Sequence, residues 1–208
     1  MDNARRAEIR EQTLLALQPL EEALNRVGYS SQKLQEALKS GRRYVEAVPV
    51  LLAWLPRLPE VAKESVVRYL SVPWAKPKAA PILIEEFKAT SNDGLRWTIG
   101  NALEIVADIS VVDQMIGLAA ERRFGSARQM VVVALGNFND PKAENTALQL
   151  LNDEQVVGHA VIALRHMQSL KALPRLEEMK KHPKAWVRSE AKKAVAAILR
   201  SPRSSRIM

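Results

Sequence analysis

Asn152–Arg200 reads NDEQVVGHAVIALRHMQSLKALPRLEEMKKHPKAWVRSEAKKAVAAILR, and one apolar pattern occurs in it twice. Val156, Ala160, Ala163 and Leu164 return 31 residues later as Val187, Ala191, Ala194 and Val195. Offsets of 0, +4, +7 and +8 lie on one face of an α-helix. Between the copies, Ala172–Lys181 has helical character of its own, so the unit reads helix, turn, helix.

The unit can be followed back towards the N-terminus. Its anchors are Ser30, Ala62, Leu95, Ala127, Val156 and Val187, spaced by 32, 33, 32, 29 and 31 residues. The +4 positions are Leu34, Val66, Ile99, Val131, Ala160 and Ala191. The +7 and +8 pairs are Ala37-Leu38, Tyr69-Leu70, Ala102-Leu103, Ala134-Leu135, Ala163-Leu164 and Ala194-Val195. Alanine at five of six +7 positions suits a face where helices approach closely. The second helices keep register as well. Pro49, Pro81 and Pro174 each stand two residues before a leucine (Leu51, Leu83, Leu176). A first-turn proline costs little, because its missing N–H had no intrahelical partner. The other two second helices begin near Val111–Asp113 and Asp140–Pro141. Turn signals fall between helices, at Ser40-Gly41, Ser91–Gly94, Gly125-Ser126, Asn139–Pro141, Asn152-Asp153 and His182-Pro183. No segment shows strand alternation bounded by hairpin turns.

Residues 3 to 27 stand outside this register. Ile9, Leu14, Leu17, Leu20, Leu24 and Val27 recur at three- and four-residue spacing, which predicts an amphipathic helix. Asp2 or Asn3 caps it and Gly28 ends it. Pro19 removes a helix hydrogen bond, so a kink or break is expected near Gln18.

A period near 32 with two helices per unit resembles the HEAT-repeat family, especially its short bacterial forms. The resemblance rests on Val-Arg-x-x-Ala-x-x-Ala-Val at Val187–Val195, echoed by Leu95-Arg96 and Ala127-Arg128, with Asp93 and Asp153 just before two anchors. It covers roughly residues 30 to 200. It implies a superhelical stack of helix pairs whose second helices line the concave side, in a family that mostly supplies binding scaffolds. Lys63, Val157 and Ser31 stand where the pattern has arginine, so the family's Asp–Arg ladder is expected to be incomplete. The expected fold is all-α: a HEAT-like α-solenoid of about five antiparallel helix pairs over residues 30–200. An extra N-terminal helix or cap occupies residues 1–29. A basic capping helix closes the C-terminal end, and residues 201–208 form a basic, disordered tail.

Composition agrees. The 208 residues are 47% hydrophobic but only 5% aromatic, the aliphatic balance of helix-on-helix packing. With no cysteine there is no disulfide, thiolate nucleophile or Cys-bound metal. No apolar run approaches the roughly 20 residues that span a membrane, and MDNARRAEIREQTLLAL lacks a signal-peptide core. A soluble, cytoplasmic monomer is expected. The formal charge of +8 is uneven: residues 1–50 net +1, residues 51–150 are neutral, and residues 151–208 net +7.

No catalytic constellation emerges. His159 and His166 share a helix face, but two imidazoles fall short of a zinc site's three or four ligands. A structural or solvated role is expected for them and for His182. Glu85-Glu86 and Glu177-Glu178 are adjacent helix residues that diverge by about 100°, and no glycine-rich phosphate loop is present. No enzyme activity, cofactor or metal is expected.

Two binding regions remain. Trp74 and Phe138 both occupy turns inside a unit, where exposed rings can anchor a partner or fold over the end of the core. With Arg122 and Arg123 at the end of a second helix, and Arg175, they form the candidate protein-binding set. Trp54 reads as core, and Trp97 and Trp186 as inter-repeat packing or outer surface. Arg96, Arg128 and Arg188 follow their anchors, either as a phosphate-binding ladder or as groups capping carbonyls and pairing with loop carboxylates. The second region is Lys180, Lys181, Lys184, Arg188, Lys192, Lys193 and Arg200, followed by Arg203 and Arg206. Lys184, Arg188 and Lys192 are spaced by four and form a basic strip that can meet DNA or RNA phosphates. A terminal repeat also needs a polar outer face, which explains the polarity but not the single sign. The reading is a non-catalytic scaffold that binds another protein on its concave face. The alternative is a nucleic-acid-binding solenoid using the basic strip.

Overall fold

A computed structural model describes residues 3–201, so Arg203 and Arg206 lie outside the described residues. The fold is all-α, a HEAT-like solenoid, with no strand among the described residues. The chain divides into two compact units, residues 1–106 and 107–208.

Unit 1 holds α1 (Asn3–Arg26), α2 (Ser31–Ser40), α3 (Val48–Trp54), α4 (Glu60–Leu70), α5 (Ala79–Ala89) and α6 (Asp93–Val106). Ser30 opens α2, its hydroxyl accepting the Lys33 N–H at 3.2 Å. Gly41 ends it in the left-handed conformation at φ 69°, which costs glycine little. Leu34, Ala62, Val66, Leu70, Leu95, Ile99, Ala102 and Leu103 are buried, as the register requires. Each fully buried Val, Leu or Ile contributes roughly 1.5–3 kcal/mol of transfer free energy. Polar bonds tie helices together both between pairs (Tyr44 to Tyr69) and within one (Lys63 on α4 to Glu86 on α5). The Tyr44 hydroxyl donates to the Tyr69 carbonyl (2.9 Å), and Lys63 pairs with Glu86 at 2.5 Å.

Two expectations for this unit are corrected. α1 runs through Pro19 without a break. The carbonyl that Pro19 leaves unpaired belongs to Leu15, whose side chain is exposed, so water can satisfy it. Only the C-terminal end of the α1 stripe is buried, at Leu20 and Leu24, while Leu14 is exposed. At 1.5 Å per residue α1 is about 36 Å long, far longer than the α3 and α4 it packs against. Trp54 is half-buried rather than core, with the Arg57 guanidinium 5.8 Å from its ring centroid. Leu51 and Leu55 take the inward positions of that turn.

Unit 2 holds α7 (Val112–Ala120), α8 (Gln129–Ala134), α9 (Pro141–Leu150), α10 (Val157–His166), α11 (Leu173–Met179) and α12 (Ala185–Leu199). The first helices α8, α10 and α12 pack side by side, and α7 and α9 adjoin on the second-helix side. Every +0, +4, +7 and +8 position of the last three repeats is buried, from Ala127 to Val195. The α10–α12 approach depends on Gly158. A Cβ there would stand 1.9 Å from the Trp186 ring, which leans over it and meets the His159 ring edge-on at 5.3 Å. Gly158→Ala is therefore expected to push Trp186 off α10 and to destabilise unit 2 by about 1–3 kcal/mol. In a Trp186→Ala background the same substitution should cost almost nothing. Urea unfolding of the four-member cycle measures the difference.

Candidate functional site

The arginines that follow the anchors bond backbone carbonyls, Arg96 and Arg128 at the end of the preceding helix and Arg188 in the loop before α12. Arg96 donates to the Phe87 carbonyl (3.2 Å), to the Thr90 carbonyl and to Asp93. Arg128 donates to the carbonyls of Ala119 (2.7 Å) and Gly125 (3.1 Å) and to Asp153 Oδ2 (2.6 Å). Arg188 donates to the carbonyls of His182 (2.9 Å) and Pro183 (2.7 Å). Carbonyls at a helix C-terminus lack intrahelical donors and carry the negative end of the dipole, so guanidinium groups belong there. Arg128 is 0% exposed, and its carboxylate partner comes from the next repeat. Burial raises the Asp153 pKa, but the bonds from Arg128 and the Gln155 N–H outweigh it and hold the carboxyl below its usual range.

The basic strip is largely engaged. Lys180, Lys184 and Lys193 pair with Glu177 (2.7 Å), Glu154 (2.8 Å) and Glu190 (2.7 Å). Arg200 donates to the Ala196 carbonyl at 2.9 Å, and Arg188 is folded onto its two carbonyls. Lys181 and Lys192 are exposed and have no ion-pair partner among the described residues. The terminal helix is thus polar outside, and most of its cations already have local counter-groups.

The protein-binding set is scattered. Trp74, in unit 1, is half-buried, edge-on to Tyr44 at 5.2 Å and 5.6 Å beneath the Arg43 guanidinium. In unit 2, Arg122 is exposed and 3.8 Å from Asp153, while Arg123 lies over the Phe124 ring at 4.8 Å. Arg175 bonds Glu178 and Asn152, both at 2.7 Å. Of its two expected places, Phe138 takes the one over the end of the core. It is 5% exposed, folded into the end of the core where the turn after α8 closes over it.

Phe138 nevertheless forms part of a groove of about 560 Å³, which also involves Asn137, Asn139, Glu144, His166, Gln168 and Lys171. Two successive turns build this groove. Asp140 opens α9 by accepting the N–H groups of Lys142 (2.8 Å) and Ala143 (3.0 Å). Ser169 accepts the Ala172 N–H and donates to Glu144 at 2.6 Å, and Lys171 pairs with Glu144 at 3.0 Å. Burial pushes the Glu144 carboxyl up, but the Ser169 and Lys171 bonds prevail and lower it overall. At the groove floor, a Cβ on Gly136 would stand 2.8 Å from His166 Cβ and 2.9 Å from the Ala163 carbonyl oxygen. Only glycine lets these backbones meet. Sequence reasoning found Phe138 but missed the groove around it. The available signal was two turns, at 136–141 and 166–171, one repeat apart, the first with Gly136 at a close backbone approach and the second with Gln168 in the left-handed conformation (φ 54°).

The histidines do not assemble a site. His159 is half-buried against Trp186, His166 lies at the groove, and buried His182 is 3.3 Å from Glu154. Among the described residues no group of three His, Cys, Asp or Glu side chains is placed to hold a metal ion. Burial lowers the His159 pKa from 6.5, and its Nδ1 has no partner among the described residues. Below about pH 6.5 the unfolded chain takes up a proton that the folded chain resists, so stability falls. A second decline follows at lower pH, as Asp153 and Glu144 protonate through their depressed pKa values. His159→Gln is expected to remove the first decline only, read from urea midpoints at about pH 7.5 and about pH 5.5.

Repeated helix pairs and an inter-repeat arginine–aspartate bond define an α-helical repeat protein. The family model described as HEAT repeats matches residues 112–196, from the start of α7 into α12. That segment, less than half of the chain, is similar to HEAT repeats, which generally mediate protein interactions. No curated protein matches the chain. Among the described residues no helix is long and apolar enough to cross a membrane.

Proposed function

We propose that the chain is a non-catalytic scaffold, and that a partner protein seats in the unit 2 groove and along the adjoining second helices. The observation that carries this is the groove itself, about 560 Å³ between the turns of two successive repeats. Its rim offers amide groups (Asn137, Asn139, Gln168), an imidazole and a lysine around the buried Phe138 wall. Polar rims around an apolar centre are how protein interfaces combine specificity with desolvation. On this reading Arg175 on α11, and Arg122 and Arg123 after α7, add cationic contacts, and the chain works as a cytoplasmic monomer without cofactor.

Phosphate binding through the C-terminal strip is the weaker reading. Releasing counterions from nucleic acid rewards cations that are free to meet phosphates, and five of the seven already donate to carboxylates or carbonyls. The test compares two arms. Substitutions at the groove rim (Asn139→Arg, Lys171→Glu) should abolish capture of a partner, while Lys181→Glu/Lys192→Glu leaves it intact. Salt-sensitive binding of mixed-sequence DNA or RNA, lost with the lysine pair and indifferent to the rim, would favour the nucleic-acid reading instead.

A further inference from the structure

Segment charges hide a cluster of four cations at one edge of unit 1. Arg42 and Arg43 lie in the turn between α2 and α3, and Lys76 and Lys78 in the turn between α4 and α5. Ring contacts join the two turns. Tyr44 meets Trp74 edge-on at 5.2 Å, and the Arg43 guanidinium sits 5.6 Å above the Trp74 ring. All four cations are exposed, and none has an ion-pair partner among the described residues. The Arg42 side chain donates only to the Ser40 hydroxyl, at 3.2 Å. The one carboxylate in these turns, Glu46, accepts the Tyr29 hydroxyl at 2.9 Å and is held below its usual pKa. The Trp74 Nε1 donor is buried beside the cluster with no acceptor among the described residues.

This arrangement differs from the C-terminal helix, where most cations have counter-groups. Four like charges on two adjoining turns cost repulsion, which an anionic ligand relieves. We propose that this edge binds an acidic, extended segment of a partner protein, an inference that rests on reading the chain as a protein-binding scaffold. Neighbouring helices pack about 8–10 Å apart, and an extended chain advances about 3.3–3.6 Å per residue. Carboxylates three residues apart on such a segment therefore reach successive turns. Arg43 presents a planar fork suited to one carboxylate, and Lys76 and Lys78 act as point charges for the next. Nucleic acid fits less well. The Trp74 ring is already engaged by Arg43 and Tyr44 rather than offered as a platform for a base. Four cations also fall short of the roughly 6–10 phosphate contacts of a typical duplex binder.

The test titrates the full chain with a fluorescent peptide of about 12 residues carrying glutamate at every third position. Binding should weaken as salt rises, and the Trp74 indole N–H resonance should shift. Arg43→Glu/Lys76→Glu should lower affinity about tenfold or more. Arg42→Glu/Lys78→Glu touches no ring, so it should give the same loss without disturbing the fold. Lys181→Glu/Lys192→Glu changes net charge equally and should lower affinity less than about threefold, which separates a site from general attraction. Equal losses in all three variants, or no peptide binding at low salt, overturn the proposal. So does tighter binding of single-stranded DNA through Arg43 and Lys76. The unit 2 groove provides an independent readout. A partner captured there with no peptide bound at the unit 1 edge defeats this inference alone; peptide bound at the edge with no partner at the groove supports it and defeats the groove reading.

Discussion

Arg128→Met is expected to destabilise unit 2 by about 3–5 kcal/mol, because it removes one partner of a buried ion pair. The guanidinium is fully buried and holds three acceptors at once: the Ala119 and Gly125 carbonyls and Asp153 Oδ2. Methionine fills similar volume but donates nothing. Asp153, only 10% exposed, would be left with the Gln155 N–H and the distant Arg122. Asp153→Asn keeps an acceptor and should cost less, about 1.5–3 kcal/mol for the charged character of the bond. The double variant Arg128→Met/Asp153→Leu should recover part of the loss, since no buried charge then stands alone. Trp186 is the one tryptophan of residues 107–208. Its fluorescence, with Trp54, Trp74 and Trp97 replaced by phenylalanine, follows urea unfolding of this unit.

Phe138→Ala is expected to cost about 3–5 kcal/mol, the usual range for emptying a buried aromatic site. Phe138 also walls the groove, so the substitution should deepen it and weaken partner binding. Phe138→Leu separates the two effects. It should restore most of the stability while leaving the groove reshaped, and the urea midpoint and partner affinity should then move independently. If the leucine variant restores both, the ring serves the core alone.

The architecture was legible because its cause is periodic. A 3.6-residue stripe repeated every 32 or so residues admits few burial patterns, and the positions from Ala62 to Val195 bury almost as the register demands. What the pattern could not carry was chemistry between repeats. Arg128 has no acidic neighbour just upstream, and its partner Asp153 stands 25 residues on, in the next repeat. The groove has no motif, since it forms where two turns of ordinary polar composition meet. Arg42, Arg43, Lys76 and Lys78 were diluted among acidic residues in segments of nearly zero net charge. Aligning the turns, rather than the helices, would have brought Arg43 and Lys76 together at one repeat's spacing. Trp54 was misplaced, and Phe138 left between two readings, for a related reason. Exposure of an aromatic at a helix end depends on how the neighbouring helix ends, which a single stripe does not encode.

Site-specific photocrosslinking from the groove rim tests the central claim most directly. A photoreactive residue at Asn139 or Lys171 should give the same discrete protein adduct in cells, resistant to nuclease. At Ala196, on the exposed side of α12, it should give none. Adducts of equal yield from all three positions, or nuclease-sensitive adducts from Ala196 alone, would contradict the groove as the place where this scaffold holds its partner.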